Sequence, residues 1–254
     1  MFDCGEGAAT SIGNFLAGID KIFIGHDHGD HVFGLPAIIG ARNAGRGISR
    51  NTDTMDTNKP LTVYYPEDNY LMKDLIDYIK KRNGNWLRYK LDFVPICAGF
   101  ELVLDNKQIV RAFNMQHQKN KSTLGYVVYE NRTRLKPEFR GQDIPSILKS
   151  GYTRDDINES YRANLFAYCL DAYHIGDITE LMDCKDVIMD CTFINADDRD
   201  DPTHFTLDEA AKICKDAGIK KMYAAHLSGR YNYNEVAKSY PDITFINPYK
   251  VNDL

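Results

Sequence analysis

Residues 25 to 31 read Gly-His-Asp-His-Gly-Asp-His, an H-x-H-x-D-H cluster. Two imidazoles two residues apart point the same way from an extended segment. A tight turn through Gly29 is expected to bring Asp30 and His31 round to a neighbouring position. Neutral imidazole and carboxylate are the ligands suited to zinc and similar divalent cations. The chain has seven histidines, and the other four are His117, His174, His204 and His226. His117 follows an expected strand ending near Phe113, and His226 follows Met222–Ala225. His174 precedes Gly176-Asp177, and His204 sits in Pro-Thr-His-Phe-Thr just before a helix cap. Singly, each would be an ordinary polar residue. Several at strand ends in one chain point to a shared rim.

The elements that must position these residues follow from pattern. Lys21–Ile24 is a short buried-strand run ending at a glycine, and Val32–Ala41 reads as a buried helix despite Pro36. Arg42–Pro60 is polar and aperiodic, hence loop. Leu61–Tyr65 reads as a strand. Leu71, Leu75, Ile76 and Ile79 give Asp68–Arg82 a helical period, with Gly84 just beyond. Leu91–Val94, Phe100–Leu104, Gln108–Phe113 and Gly125–Tyr129 read as strands. Arg132–Tyr161 is charged and broken by Pro137, Gly141, Pro145 and Gly151, so loop with short helices is expected. Strands follow at Leu165–Leu170, Val187–Met189, Met222–Ala225 and Ile243–Ile246. Thr206-Leu-Asp-Glu209 is a capping box opening a helix that stops at Gly218, and a short helix is expected near Asn234–Ser239. Runs of strands with helices between them suggest two packed sheets with helices outside, in one domain spanning residues 1–254.

Composition narrows the function classes. The chain has 254 residues, 43% hydrophobic and 26% charged, which is ordinary globular composition. Lys and Arg total 31 against 36 Asp and Glu, a formal charge of −5. There is no global pull on nucleic acid, so such binding needs a local basic patch. Six scattered cysteines without a C-x-x-C pair argue against a disulfide framework or a thiolate zinc site. Reduced, mostly buried thiols are expected. No export signal or spanning apolar stretch is visible, and a soluble, cytoplasmic protein with no membrane partner is the expectation.

The motifs resemble those of the metallo-β-lactamase superfamily, which carries H-x-H-x-D-H after a strand, then a distant His, an Asp and a final His. Within it the chain is similar to the tRNase Z-like phosphodiesterases. The matching strings are Phe2-Asp-Cys-Gly-Glu-Gly7, Ile22 to His31, Gly34-Leu-Pro36, Gly125-Tyr126, Gly176-Asp177, Thr203-His-Phe-Thr206 and Ala225-His-Leu-Ser-Gly-Arg-Tyr231. They run in the family's order from residue 2 to 231. The resemblance implies an αββα sandwich of two packed mixed sheets flanked by helices. It also implies a dinuclear centre of two divalent metal ions, most simply Zn, with Mn and Fe compatible. His26, His28 and His117 would hold the first metal; Asp30, His31 and His226 would hold the second. Asp177 would bridge them. His204 matches a catalytic histidine that is not a ligand, and Asp190 stands where the family has a glutamate that orients it. His174 is left as structural or rim.

The chain departs from the family in places. Gly25 replaces a Thr before the first His, and Ile178 a Thr after the presumed bridging Asp. Asp190 is shorter than the family's Glu. The family's strand pair ahead of Phe2 has no counterpart here, so either the sheet is trimmed or the true start lies upstream.

Such a centre implies phosphodiester hydrolysis, because two metals can generate a nucleophilic hydroxide at neutral pH and clamp the oxygens of an in-line displacement. Asp30 would orient that nucleophile and accept its proton, and His204 tuned by Asp190 would protonate the leaving alkoxide. Ser228 and Arg230 would offer a hydroxyl and a planar fork to the phosphate, with a surface ion pair as the other reading of Arg230. The family's RNA-gripping Gly/Pro-rich arm has no obvious counterpart in Glu130–Ala163. Asp197-Asp-Arg-Asp-Asp201 puts four acids beside the presumed centre, where a polyanion is repelled. The basic run Lys80-Lys-Arg82 with Arg88 and Lys90 could touch RNA, or could simply complement a helix C-terminus. An acidic, arm-poor chain also resembles the anti-Pycsar cyclic nucleotide phosphodiesterases, compact homodimers acting on signals such as cyclic CMP and cyclic UMP. In those a partner loop closes the pocket, and Arg42–Lys59 is the candidate here. The expected function is hydrolysis of 3′,5′-cyclic mononucleotides to block immune signalling, in the host cytoplasm if the chain is viral. The alternatives are tRNA 3′ processing and a catalytically dead nucleotide sponge.

Overall fold

A computed structural model describes residues 1–44, 59–104, 106–119, 121–199 and 202–246. Most of the expected loop Arg42–Lys59, and Asp200 and Asp201 of the acidic run, lie outside these residues.

Strands β1 (Lys21–Phe23), β2 (Leu61–Pro66) and β3 (Leu91–Ile96) make one sheet in that order. Both pairings are parallel, and Phe2 adds a parallel bridge to Phe23. The expectation of two mixed sheets is corrected here: among the described residues the small sheet is wholly parallel. The second sheet has eight strands. They are β4 (Glu101–Val103), β5 (Ile109–Gln116), β6 (Thr123–Leu135), β7 (Asn158–Cys169), β8 (His174–Ile175), β9 (Asp186–Asp190), β10 (Lys221–Ala225) and β11 (Thr244–Phe245). The order is β11-β10-β9-β7-β6-β5-β4, with β8 on β5. This sheet is mixed: β4 to β7 run antiparallel, while β7, β9, β10 and β11 run parallel.

Side-chain alternation builds four layers from these two sheets. Ile22, Ile24, Leu61 and Val63 face outward, beneath Leu35, Ile38 and Ile39 of helix Leu35–Ala44 and Met72, Ile76 and Ile79 of helix Tyr70–Asn83. Their neighbours Phe23 and Tyr64 face inward onto Val110, Ala112, Tyr126 and Tyr168 of the large sheet. Phe113 and Met115 point to that sheet's far side, where helix Leu207–Asp216 buries Leu207, Ala210 and Cys214. The result is helix, sheet, sheet, helix. Its capping box forms as expected: Thr206 Oγ1 accepts from the Glu209 N–H and Glu209 accepts from the Thr206 N–H. Five of the six cysteines are buried and all are free, while Cys97 is exposed. No helix among the described residues is long and apolar enough to cross a membrane.

Two sequence boundaries move. The helix expected from Val32 is interrupted: Gly29–Val32 forms one turn and a second helix starts at Leu35. The stretch expected as loop from Arg132 to Tyr161 is strand at both ends, since β6 runs to Leu135 and β7 starts at Asn158. This ribbon pairs mostly hydrated residues, such as Arg134 with Glu159 at 2.8 Å. Exposure of both faces removes the apolar alternation that would mark it as strand. Short helices at Ile144–Lys149 and Arg154–Ile157 cap its tip, as expected.

Candidate metal centre

The centre forms on one rim of the sandwich, just beyond the carboxyl ends of β1, β7, β9 and β10. Leaving β1, the chain passes through Gly25, whose N–H donates to Asp3 Oδ1 at 2.6 Å. A Cβ there would stand 3.2 Å from the Leu124 carbonyl, a tight approach, and 3.5 Å from the Asp3 carboxylate, an ordinary contact. Gly29 opens a helical turn rather than a tight reverse turn, and that turn carries Asp30 and His31. The segment Phe2–Gly7 is pressed against it. The Cys4 N–H donates to the His31 carbonyl at 2.7 Å, and the Gly34 N–H to the Cys4 carbonyl at 2.8 Å. A Cβ on Gly5 would lie 2.0 Å from the Asp30 carbonyl oxygen, so only glycine fits.

Two groups of ligand atoms share one carboxylate. His26, His28, His117 and Asp171 form the first, and Asp30, His31, Asp171 and His226 the second; within each the atoms lie within 4.8 Å of one another. Asp171 Oδ2 is 3.5 Å from His26 Nε2, 3.2 Å from His31 Nε2 and 3.7 Å from His117 Nε2. Its Oδ1 is 3.2 Å from His226 Nε2. Asp30 Oδ2 is 3.3 Å from His226 Nε2 and 3.6 Å from His31 Nε2. Ligands held about 2.0–2.1 Å from a tetrahedral zinc stand roughly 3.3 Å apart. Both nitrogens of His26, His31 Nε2 and Asp171 Oδ1 are buried without a hydrogen-bond partner. Buried polar atoms are costly when unsatisfied. A divalent cation among these lone pairs fits the donor set.

Asp177 is not among them, and the sequence expectation that it bridges is corrected. It is exposed at the start of a 3₁₀ turn, Ile178–Leu181, where its carboxylate accepts from the Thr179 N–H at 2.9 Å and the Thr179 hydroxyl at 2.7 Å. Asp171 holds the shared position, two residues past the end of β7 and almost wholly buried. The residue following it is Ala172, so the comparison of Ile178 with a threonine falls with that of Asp177. Every other residue expected as a ligand is in the two groups. His174 is exposed on β8 and belongs to neither.

A ring of partners fixes the ligands. His31 Nδ1–H donates to Asp3 Oδ2 at 2.6 Å, and the buried Tyr168 hydroxyl donates to the same oxygen at 2.9 Å. His117 Nδ1–H donates to the Thr203 carbonyl at 2.8 Å. His226 Nδ1–H donates to Thr192 Oγ1 at 2.8 Å, and that hydroxyl donates to Asp190 Oδ1 at 2.6 Å. Asp190 Oδ2 accepts from His204 Nδ1–H at 2.8 Å and from the Ala172 N–H at 2.9 Å. The short carboxylate therefore reaches His204 after all. The His204 ring stacks on His226, with centroids 5.2 Å apart, and lies 4.6 Å from that of His117. Asp3, Asp171 and Thr192 were missed from sequence. A carboxylate just after the strand expected to end at Leu170 was the available signal for Asp171. Asp3, Asp171 and His226 all sit at positive φ, 51°, 55° and 63°, a costly conformation that persists where surrounding contacts enforce it.

Electrostatics divide the groups. Burial pushes His26, His28 and His117 below the ordinary imidazole value. Burial opposes charge on His31 too, but the carboxylates of Asp3 and Asp171 more than offset it and raise it to about 11. His226 is likewise raised, its burial outweighed by Asp30 and Asp171. The hydrogen bond from His226 holds Asp30 down at about 2.

Ser228 and Arg230 lie on the loop after His226. The Ser228 N–H donates to the Thr192 carbonyl at 3.0 Å. The Arg230 guanidinium is exposed, donates to the Asp198 carbonyl at 2.5 Å and stacks 5.2 Å from the Phe193 ring centroid. The Tyr231 hydroxyl donates to Asp198 Oδ2 at 2.6 Å. Ser228, Arg230 and Tyr231 thus brace the segment that leads to His204.

No protein-family model matches the chain. Ribonuclease Z of Limosilactobacillus fermentum is 29% identical over 282 aligned positions, covering 100% of this chain and 86% of that protein. Ribonuclease BN of Escherichia coli is 27% identical over 264 positions, covering 91% and 79%. Among solved structures, the short form of human tRNase Z superposes with a TM-score of 0.65 at 20% identity, over 99% of this chain and 86% of that one. The chain has the metallo-β-lactamase fold and is tRNase Z-like. A diphosphatase of the PhnP family superposes with a TM-score of 0.63 at 16% identity, over 97% of this tRNase Z-like chain and 75% of its own.

Proposed function

We propose that the chain is a dinuclear-metal phosphodiesterase. The observation that carries this reading is the shared, buried Asp171 between two half-rings of imidazole and carboxylate. His26, His28 and His117 would hold one cation, and Asp30, His31 and His226 the other, with Asp171 common to both. Zinc suits the nitrogen-rich set. When bound, the cations supply a nucleophile at neutral pH and positive charge for a phosphate's non-bridging oxygens. Asp30, the most exposed of the carboxylates there, receives a proton from the attacking water. His204, held by Asp190, presents Nε2 to the leaving oxygen as general acid. Ser228 and Arg230 complete the phosphate contacts from the rim.

The substrate reading is a 3′,5′-cyclic mononucleotide, cleaved by a cytoplasmic homodimer with the effect of ending a cyclic-nucleotide immune signal. Asp197 and Asp198, next to the His204 segment, favour a small singly charged diester over a long polyanion. A second reading, tRNA 3′ processing, is favoured by the full-length alignment with a ribonuclease Z. The test is turnover of zinc-loaded protein on cyclic CMP, cyclic UMP, cyclic AMP and a 3′-extended pre-tRNA at physiological salt. Faster cleavage of a cyclic nucleotide is expected. Faster cleavage of the pre-tRNA selects the second reading, and zinc-bound protein inert on all four substrates refutes both.

A further inference from the structure

Between His117 and β6 the chain makes a short excursion that touches the His26–His28 segment twice. The terminal amide of Gln118 meets His28 Nε2 through its nitrogen, Nε2. Lys121 Nζ lies 3.3 Å and 3.4 Å from the two carboxylate oxygens of Asp27, whose side chain is fully buried. The same carboxylate accepts from the Leu71 N–H at 3.2 Å, in the first turn of helix Tyr70–Asn83. Lys121 Nζ also sits 4.2 Å from the centroid of the Tyr70 ring. Asp27 therefore ties the H-x-H segment both to that helix and to the excursion.

His28 turns Nδ1 toward His117 Nε2, 3.3 Å away, and so toward the first group of ligand atoms. Its Nε2 faces outward into Gln118. A neutral imidazole carries one N–H. If Nδ1 offers its lone pair inward, Nε2 carries the hydrogen and needs an acceptor. The carboxamide oxygen is that acceptor, since a half-turn of the amide exchanges its oxygen and nitrogen.

We infer that Gln118 is a positioning residue whose Oε1 accepts from His28 Nε2–H, fixing the tautomer and ring plane that present Nδ1 to the first cation, while the Lys121–Asp27 pair holds the backbone beneath it. This rests on the metal reading above. A partner on the outward nitrogen of a ligating histidine contributes roughly 10–100-fold in metal affinity.

The test is competition for zinc between the full-length protein and a chelator of known affinity. Gln118→Ala is expected to weaken one zinc per chain by about 10–100-fold. Gln118→Glu, which keeps the volume and an acceptor oxygen, is expected to restore affinity to within about threefold, whereas Gln118→Met, which keeps the volume alone, is expected to stay as weak as Gln118→Ala. Cobalt-substituted Gln118→Ala is expected to show altered visible bands, and Gln118→Glu the wild-type spectrum. Unchanged affinity in Gln118→Ala overturns the inference, and so does equal weakening in Gln118→Ala and Gln118→Glu, or full affinity in Gln118→Met. A wild-type chain that binds no zinc refutes the metal reading itself, which that arm reports separately.

Discussion

The two halves of the centre share Asp171 and differ in how they stand before any cation arrives. The half built on His26, His28 and His117 is neutral, because burial pushes all three imidazoles down. The half built on Asp30, His31 and His226 holds protons, because carboxylates outweigh burial at both histidines. One half offers free lone pairs. The other uses protons to keep its own carboxylates company and must release them on loading. The lesson is that one carboxylate can serve two sites with opposite proton requirements, provided a second acid, Asp3, stands behind only one of them.

The largest effect is expected at the element both halves use. Asp171→Asn should lose both cations and lower kcat/KM by roughly 10³-fold or more, read by zinc content and turnover. Loss of only one cation would break the symmetry of the proposal. Next comes the protonated half. At pH 7 zinc loading should release about one proton from His31, with a further contribution from His226, whose imidazolium its carboxylate neighbours favour, measured by calorimetry in buffers of different ionisation enthalpy. The sign is fixed by the direction of the shifts: affinity of this half should rise with pH toward about 11, while the neutral half stays flat above about pH 6.5. Asp3→Asn should cut the release by about one proton and weaken that half by about 10–100-fold. Thr192→Val should weaken the same half by about tenfold through the orphaned His226 Nδ1–H. Asp177→Ala should be the smallest, with zinc content and turnover unchanged and only a slight fall in melting temperature as the 3₁₀ turn loses its cap.

What was legible in the sequence divides along the same line. Histidines are rare and chemically distinctive, so their spacing and their places at strand ends pointed to a shared rim, and the family resemblance supplied the division into two half-rings. The shared carboxylate was hidden because acids abound here. Gly176-Asp177 drew the bridging role through its resemblance to a family string, whereas Asp171 sits in Leu-Asp-Ala and is identified by its burial and its distances to the imidazoles. The hydrogen-bond ring was illegible for another reason: Asp3 and His31, or Thr192 and His226, meet only once the sheets have packed. In the fold, a continuous apolar run disclosed a strand dry on both faces, Ile22, Phe23 and Ile24, while pattern missed the ribbon of β6 and β7 where both faces are wet.

Among the described residues, five other than glycine are held at positive φ, and three of them are Asp3, Asp171 and His226. At each, the backbone alone would be more at ease with glycine or asparagine. The polypeptide is thus least comfortable where its chemistry is proposed to lie. A lineage released from the need for catalysis should drift at these three positions first, shedding backbone strain as it lost the power to hold a cation.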